Sequence, residues 1–115
     1  MKSIFLLAVM GLTLASSAHA RDLPELVSEC EACHGPGGIS SQPDVPALAG
    51  KSVTYLREML DQFYNYERHC QTTTYRHGDR ARTPMSMCAV ANGLSEDEKQ
   101  ALAEHFANAV VPPED

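Results

Sequence analysis

Hydrophobic residues recur at helical spacing in three parts of this chain, and each part is predicted to form an amphipathic helix. The first begins after Asp22, whose carboxylate can accept a backbone hydrogen bond, and it ends at the glycine-rich stretch 35–38. Its apolar face is formed by Leu23, Leu26, Val27 and Cys30. The first helix is therefore expected to place a cysteine-containing segment against the core.

The second and last helices also have clear beginnings. Ser52 can cap the second, which is predicted to run to about Glu67, and Ser95 with Glu98 has the pattern of a capping box. The apolar stripe of the second helix is Leu56, Leu60, Phe63 and Tyr64, with Met59 beside it. The predicted buried face of the last helix is Ala101, Leu102, His105, Phe106, Ala109 and Val110.

The segments between the helices have no convincing strand pattern. Pro43 and Pro46 exclude a regular helix from residues 39–50, and three consecutive threonines argue against one in residues 68–84. The sequence therefore predicts an all-α fold with three to four helices and long loops.

The first twenty residues have the composition of a secretory signal peptide. Lys2 precedes an apolar run at residues 4–14 that is too short to span a bilayer comfortably, and residues 18–20 fit a cleavage site. We expect cleavage after Ala20, which leaves residues 21–115 as one small periplasmic domain. The alternative is an uncleaved anchor. After cleavage no membrane span is expected, because no later apolar run is long enough.

The motif Cys30-Glu31-Ala32-Cys33-His34 carries the most specific chemistry in the sequence. Two cysteines three positions apart, with a histidine directly after the second, form the attachment site of a c-type haem. Cys30 and Cys33 are expected to form thioethers with the porphyrin, and His34 to ligate the iron from the proximal side. Two alternatives stay open: a zinc site completed by Cys70, Cys88 or a histidine, and a thioredoxin-like dithiol.

The loop after the motif offers two further contacts to a haem. A metal-ligating histidine usually donates its second ring N–H to an acceptor, and the carbonyl of Pro46 is the candidate acceptor for His34. Leu48 is expected to pack on the haem face. The alternative is an ordinary turn with no role at the iron. Met59 is also able to ligate iron, although a methionine in an apolar stripe more often fills the core.

The domain expected after cleavage is acidic, with eight lysine and arginine residues against fifteen aspartate and glutamate residues, a formal net charge of −7. Such a surface disfavours nucleic acid and favours a redox partner with a basic docking patch, unless the charge serves only solubility. The exception is a basic cluster of Arg76, Arg80 and Arg82, which either neutralises haem propionates or faces water.

Three stretches resemble the class I c-type cytochromes: CEACHG, then PDVPALAGKSVTYLREML, then MSMCAVANGLSEDEKQALAEHF. The resemblance covers nearly all of residues 21–115. It is to a single domain of the cytochrome c4 type, or of the cytochrome subunit of flavocytochrome c sulfide dehydrogenase. It implies a small cytochrome fold around a covalent haem, with one-electron transfer as the activity. The cytochrome c4 type is generally a two-haem tandem, whereas this sequence has one motif, so a single haem is expected.

The resemblance also implies His34 and a methionine as axial ligands. In the relatives the ligand methionine lies seven residues before the apolar residue that precedes the serine cap. That residue is Leu94 here, so the spacing selects Met87 over Met85. Phe106 corresponds to the aromatic residue that packs the last helix on the first. Besides Met59, which is preferred as core filling, the residues alone leave four candidates for the sixth ligand: Met85, Met87, His69 and His77.

Three functions are compatible with these residues, and the leading hypothesis is a periplasmic electron carrier that is not itself an enzyme. The second is the haem subunit of a periplasmic oxidoreductase complex, such as a flavin- or molybdenum-dependent sulfur-compound dehydrogenase. The third is a gas sensor or a peroxidase-like haem, which requires an open or weakly held sixth position.

Cys70 and Cys88 are extra to the family pattern. If the haem uses the other two cysteines, this even pair remains in an oxidising compartment, and we predict that it forms a disulfide. The bond would join the end of the second helix to the residue beside Met87 and brace the polar loop between them. Two separate buried thiols are the alternative.

Overall fold

The structure is a computed structural model that describes residues 4–5, 8–12, 21–78 and 83–113. The expected cleavage site and two arginines of the basic cluster, Arg80 and Arg82, lie outside these residues. The elements in chain order are α1 (Leu23–His34), a 3₁₀ turn (Pro36–Gly38), α2 (Val53–Tyr64), β1 (Thr72–Thr73), β2 (Met85–Ser86), α3 (Met87–Asn92) and α4 (Glu96–Ala107). The prediction of a mainly helical fold with long loops is confirmed. None of the helices in the described ranges has the length and apolar character to cross a bilayer.

Polar side chains fix the beginnings of the three long helices. Asp22 and Ser52 each accept a hydrogen bond from the backbone N–H three residues further along the chain. Ser95 and Glu98 bond each other's backbone N–H groups in a capping box. These contacts satisfy N–H groups that the first turn of a helix leaves without partners. The capped start of α1 also fixes the direction in which each side chain of the CxxCH motif leaves the helix axis.

The core lies where α4 packs against both α1 and α2, while α3 packs against α2. Its buried side chains are Leu26, Val27, Leu56, Leu94, Leu102, Ala103 and Phe106. Cys30 and Leu48 are partly buried and pack against this cluster. The first cysteine of the motif therefore lies at the edge of the core.

The turn after α1 depends on Gly38. This residue has a φ of +75°, and a Cβ built on it would lie 2.7 Å from Cδ1 of Phe106. Its carbonyl accepts hydrogen bonds from the N–H groups of Leu48 and Ala49. Glycine at this position lets Phe106 pack α4 onto the end of α1 while the loop 39–50 folds back toward the motif.

The polar segment after α2 differs from the sequence prediction. α2 ends at Tyr64 rather than near Glu67, and Tyr66 has a left-handed φ of 57°, which a continuing helix does not allow. β1 and β2 pair antiparallel, although no strand was predicted. Strands of two residues have no alternation that a sequence pattern can reveal.

The buried face of α4 is also only partly as predicted. Leu102 and Phe106 are buried, but His105 is exposed and Val110, beyond the end of the helix, is 84% exposed. The prediction extended the helical pattern past Ala107, where α4 ends. Ala103 and the aliphatic part of the Lys99 side chain, on the other side of the apolar stripe, are buried instead.

Lys99 makes the charged contact between α4 and α2. Its side chain is 1% exposed, and its Nζ lies 2.8 Å from Asp61 Oδ1 and 2.7 Å from Glu96 Oε1. The same ammonium lies 4.3 Å from the centroid of the Tyr64 ring. Burial opposes protonation, but hydrogen bonds to the two carboxylates outweigh it and raise the pKa of Lys99. The hydrogen bond from Lys99, with help from Arg57, lowers the pKa of Asp61.

Replacing Asp61 by alanine is expected to destabilise the fold by about 1 kcal/mol, the low end for an unpaired buried partner, because Glu96 still contacts Lys99. The folded-state pKa of Asp61 is lowered, so its contribution is complete above the ordinary aspartate pKa. The contribution is lost as the pH falls through the lowered value. Urea unfolding of wild type and variant should therefore differ most at neutral pH and converge in acid. Asp44→Ala, at an exposed carboxylate without an ion pair in the described chain, should show no such difference.

Candidate haem-attachment site

The three side chains of the motif share one face of α1. At 100° per residue, Cys30, Cys33 and His34 fall within an arc of about 100° around the helix axis. Both cysteines are partly buried and are not joined to each other or to another cysteine. Two thiols and one imidazole therefore leave the last turn of α1 in the same general direction.

His34 is held in one tautomer by the loop that follows α1. Its side chain is buried, and Nδ1 lies 2.6 Å from the carbonyl oxygen of Pro46. Because a carbonyl oxygen can only accept, Nδ1 carries the proton and Nε2 carries the lone pair. Burial lowers the pKa of His34 and so favours the neutral ring, and the Pro46 hydrogen bond opposes this shift without reversing it.

Nε2 of His34 is the atom left for a ligand. It makes no hydrogen bond within the described chain, and no fully buried side-chain nitrogen there lacks a partner, so Nε2 faces accessible space. A neutral imidazole with a free lone pair and a fixed orientation is the form that binds a metal.

The thiol chemistry of the motif disfavours the dithiol alternative. Burial, reinforced by the charges of Glu29 and Glu31, raises the pKa of Cys30 to about 12. A thioredoxin-like dithiol needs a lowered thiol pKa and a preceding strand, and in the described chain no strand lies before α1.

The zinc alternative also finds no support in the geometry. Across the residues described, no three side chains of histidine, cysteine, aspartate or glutamate are grouped to hold a metal ion. Cys70 and Cys88, proposed as the further zinc ligands, are bonded to each other. Thiolates engaged in a disulfide cannot complete a tetrahedral site.

Leu48 lies in the same loop as Pro46. It is half-buried against the edge of the core, and its N–H donates to the Gly38 carbonyl at 2.8 Å. This hydrogen bond fixes the segment that presents the Pro46 carbonyl to His34. Contact between Leu48 and a haem face stays a prediction.

The three methionines considered as iron ligands have different surroundings. Met85 is 44% exposed in β2, whereas Met87 is half-buried at the first position of α3, directly after the helix cap Ser86. The sulfur of Met59 is contacted by the guanidinium of Arg68. Lower exposure and a capped helix start distinguish Met87 as the candidate, and its ligation stays a prediction.

The two histidines considered as sixth ligands are exposed. His69 lies in the loop after α2. The backbone N–H of His77 bonds the Ala32 carbonyl, and His77 lines the same cavity as Ser28 and Ala32. These two α1 residues are on the face opposite to Cys30, since they lie about 160° from it around the helix. His77 is thus not on the side of α1 that presents His34.

Arg76 lies against the attachment motif. Arg76 was expected either to neutralise haem propionates or to face water. Its guanidinium is half-buried and donates to Cys33 Sγ at 3.3 Å, and contact with the propionates stays a prediction. The contact joins residues 43 positions apart in the chain. No local pattern signals such a contact, so sequence reasoning missed it.

Cys70 and Cys88 form a disulfide, with Cα atoms 5.6 Å apart. Cys88 is 2% exposed and follows Met87 directly. The bond closes a loop with a sequence separation of 18 residues, and β1 and β2 pair inside that loop. Both ends of the polar segment are therefore tied together immediately beside Met87.

Removing the disulfide with Cys70→Ser and Cys88→Ala is expected to lower the free energy of unfolding by about 3 kcal/mol, the loop-closure value for 15–20 residues. Alanine is chosen at position 88 because a buried hydroxyl there would add its own cost. Each single variant should lose nearly as much as the double variant, because either change breaks the same bond. Thermal unfolding checks this, and additive losses would show that the two side chains act separately.

The donor set of the site fits a covalently bound haem. Cys30 and Cys33 supply two unpaired sulfurs one helical turn apart, and His34 supplies a neutral nitrogen next to them. The site borders the hydrophobic core, which suits an apolar porphyrin. These three residues would hold the group, with Met87 as the candidate for the opposite side of the iron.

Comparison with known proteins gives an independent result. The model of the Cytochrome c family matches residues 24–109. Over 83 residues, 71% of the chain, the sequence is 37% identical to a thiosulfate dehydrogenase electron acceptor of Stutzerimonas stutzeri. It is 31% identical over 109 residues to cytochrome c4 of Pseudomonas aeruginosa, and 30% identical over 83 residues to cytochrome c-554(548) of Halomonas halodenitrificans.

The extent of these matches differs between relatives. The matched segment spans 33% of the S. stutzeri protein and 46% of the P. aeruginosa protein, but 86% of the H. halodenitrificans protein. The family match covers α1, α2, the disulfide loop and α4. The resemblance to class I c-type cytochromes is therefore confirmed: the chain belongs to the cytochrome c family, and covalent haem c is its cofactor.

Proposed function

We propose that this protein transfers single electrons through a haem held by Cys30, Cys33, His34 and Met87. The observation that carries the proposal is the geometry of His34. A buried, neutral imidazole donates Nδ1–H to the Pro46 carbonyl and keeps Nε2 free, on the helix face that also carries the two thiols. The family membership supports the same conclusion.

Each side chain of the site has a separate task. Bound haem supplies the centre that gains and loses one electron. Cys30 and Cys33 would fix the porphyrin to α1 by thioethers, and the Pro46 carbonyl sets the orientation and donor strength of His34. Met87, at the start of α3, would be the second iron ligand from the protein and would keep that position closed. A site with both axial positions filled by protein carries electrons and leaves no position for a substrate.

The protein is proposed to act in the periplasm as residues 21–115. The support is the n-region, the apolar run and the small-residue site at Ala20, together with the disulfide, which persists in an oxidising compartment. Within this span there is one CxxCH motif, so we propose one haem for these residues.

The proposed electron donor is an enzyme that oxidises a sulfur compound. The support is the name of the S. stutzeri relative, an electron acceptor of thiosulfate dehydrogenase. An excess of seven acidic charges in residues 21–115 favours a partner surface with a basic patch. Co-purification with a catalytic chain would instead assign the protein as the haem subunit of a complex.

The test is expression of the full chain with its export signal in a host that attaches haem to periplasmic proteins. The haem should resist acid–acetone extraction, and redox titration followed by absorbance should give one reversible one-electron step. Haem that extracts freely would overturn the attachment. Carbon monoxide binding to the reduced protein at neutral pH would favour a sensor or peroxidase-like haem over a carrier.

A further inference from the structure

The guanidinium of Arg76 contacts three separate parts of the chain. One terminal nitrogen donates to Cys33 Sγ at 3.3 Å and to the Tyr75 carbonyl at 2.7 Å. The other donates to the Thr83 carbonyl at 2.7 Å. Thr83 lies two residues before β2, and the Met87 helix follows β2 directly. Arg76 therefore joins the haem-attachment helix to the segment that leads to the candidate distal ligand.

The contacts around Arg76 reinforce this junction. The Cys33 sulfur also lies 3.3 Å from the Tyr75 carbonyl, and the N–H of His77 bonds the Ala32 carbonyl. Three consecutive residues, 75–77, thus lie along the last turn of α1. In the haem-bound protein the Cys33 sulfur is a thioether, which keeps lone pairs able to accept from Arg76.

A guanidinium at this sulfur bears on the redox equilibrium. The oxidised iron carries one more positive charge than the reduced iron, so a nearby cation disfavours the oxidised state. The charge of Arg76 is half-buried, so water screens it less than it screens an exposed lysine. Hydrogen bonds to groups around the haem that are not iron ligands also change its reduction potential.

We infer that Arg76 is a positioning residue of the haem site, which raises the reduction potential through its charge at Cys33 Sγ and fixes the Met87 segment through Thr83. The inference rests on the proposed function, since it concerns the haem that Cys30 and Cys33 would hold. Arg76 would thus act at the porphyrin edge that is bonded to Cys33, through its contact with the Cys33 sulfur.

The experiment compares reduction potentials of the haem-bound protein in three variants. Arg76→Gln should lower the reduction potential, because it removes both the positive charge and the planar guanidinium group. Arg76→Lys should lower the reduction potential less, because it keeps the charge and loses only the guanidinium group that reaches both Cys33 and Thr83. The matched control is Lys51→Gln, which removes one positive charge from an exposed side chain, and its shift should be less than a third of that of Arg76→Gln.

A second measurement separates the two roles of Arg76. Both Arg76 variants should lose the far-red band of methionine-ligated ferric haem at a lower temperature than wild type, since neither replacement can bridge Cys33 and Thr83. If Arg76→Gln does not fold, Arg76→Lys decides the matter by the same two readouts. Equal potentials in wild type and the Arg76 variants, or a shift matching that of Lys51→Gln, would overturn the inference. If wild type itself holds no covalent haem, the proposed function fails first.

Discussion

The double variant Cys30→Ala, Cys33→Ala is expected to yield almost no folded, haem-containing protein. The described chain has eleven buried hydrophobic residues, and only seven of them form the cluster that Cys30 packs against, which is little for a domain of this length. A covalently held porphyrin would contribute much of the remaining apolar contact. A stability loss of roughly 2 kcal/mol already lowers the ratio of folded to unfolded chains about 30-fold. Periplasmic yield and haem staining of denatured gels measure the result.

Ser28→Ala is the matched control for this variant. Ser28 is exposed on the opposite face of α1, so its replacement keeps the helix and leaves both thiols in place. Wild-type yield and full haem content are expected from it. A double cysteine variant that folds cooperatively without haem would show that the seven-residue core is sufficient, and that the porphyrin is not part of the folding unit.

Met87→Ala is expected to abolish the far-red band of the ferric protein and to lower the reduction potential. If Met87 ligates the iron, the variant removes the methionine sulfur and opens that iron position, and methionine ligation is one of the features that raise a haem potential. Met85→Ala should change neither property, because Met85 lies in β2 with 44% of its surface exposed. Absorbance spectra and redox titration of both variants test the assignment.

Met85→Ala and Met87→Ala are matched controls for each other, since the two residues are only two positions apart in the chain. Loss of the band in Met85→Ala with its retention in Met87→Ala would reverse the assignment. A wild-type spectrum of two histidine ligands would exclude both methionines. In that case His69 would be the first candidate, because His77 lies on the other face of α1.

The beginnings of the helices were predictable because capping is local. Asp22, Ser52 and the Ser95–Glu98 box each act within three residues, and all of them cap as predicted. The ends were less predictable. α2 ends at Tyr64, two residues before Tyr66 with its left-handed φ, and a tyrosine side chain gives no sequence signal for that conformation.

At the site, contacts of residues with a known chemical partner could be predicted, such as His34 with the Pro46 carbonyl and Cys70 with Cys88, whereas contacts of charged residues distant in sequence could not. The five residues of the CxxCH motif were enough to predict the cofactor and the residues that hold it. Arg76 contacts Cys33 across 43 positions of sequence, and Lys99 contacts Asp61 across 38. Neither contact produces a regular spacing of residues that a sequence pattern could reveal. Lys99 interrupts an apolar face, where a charged residue is normally assigned to the surface.

The Cys70–Cys88 bond turns the segment between them into a closed covalent ring. Met87 is a member of that ring, next to the point of closure. If Met87 ligates the iron as proposed, the ring would limit how far its sulfur moves when the bond to iron opens, and the effective concentration of that sulfur at the iron would stay high. A small external ligand would then have to compete with the Met87 sulfur for the open position. We therefore expect the disulfide to slow the binding of outside ligands without itself touching the iron.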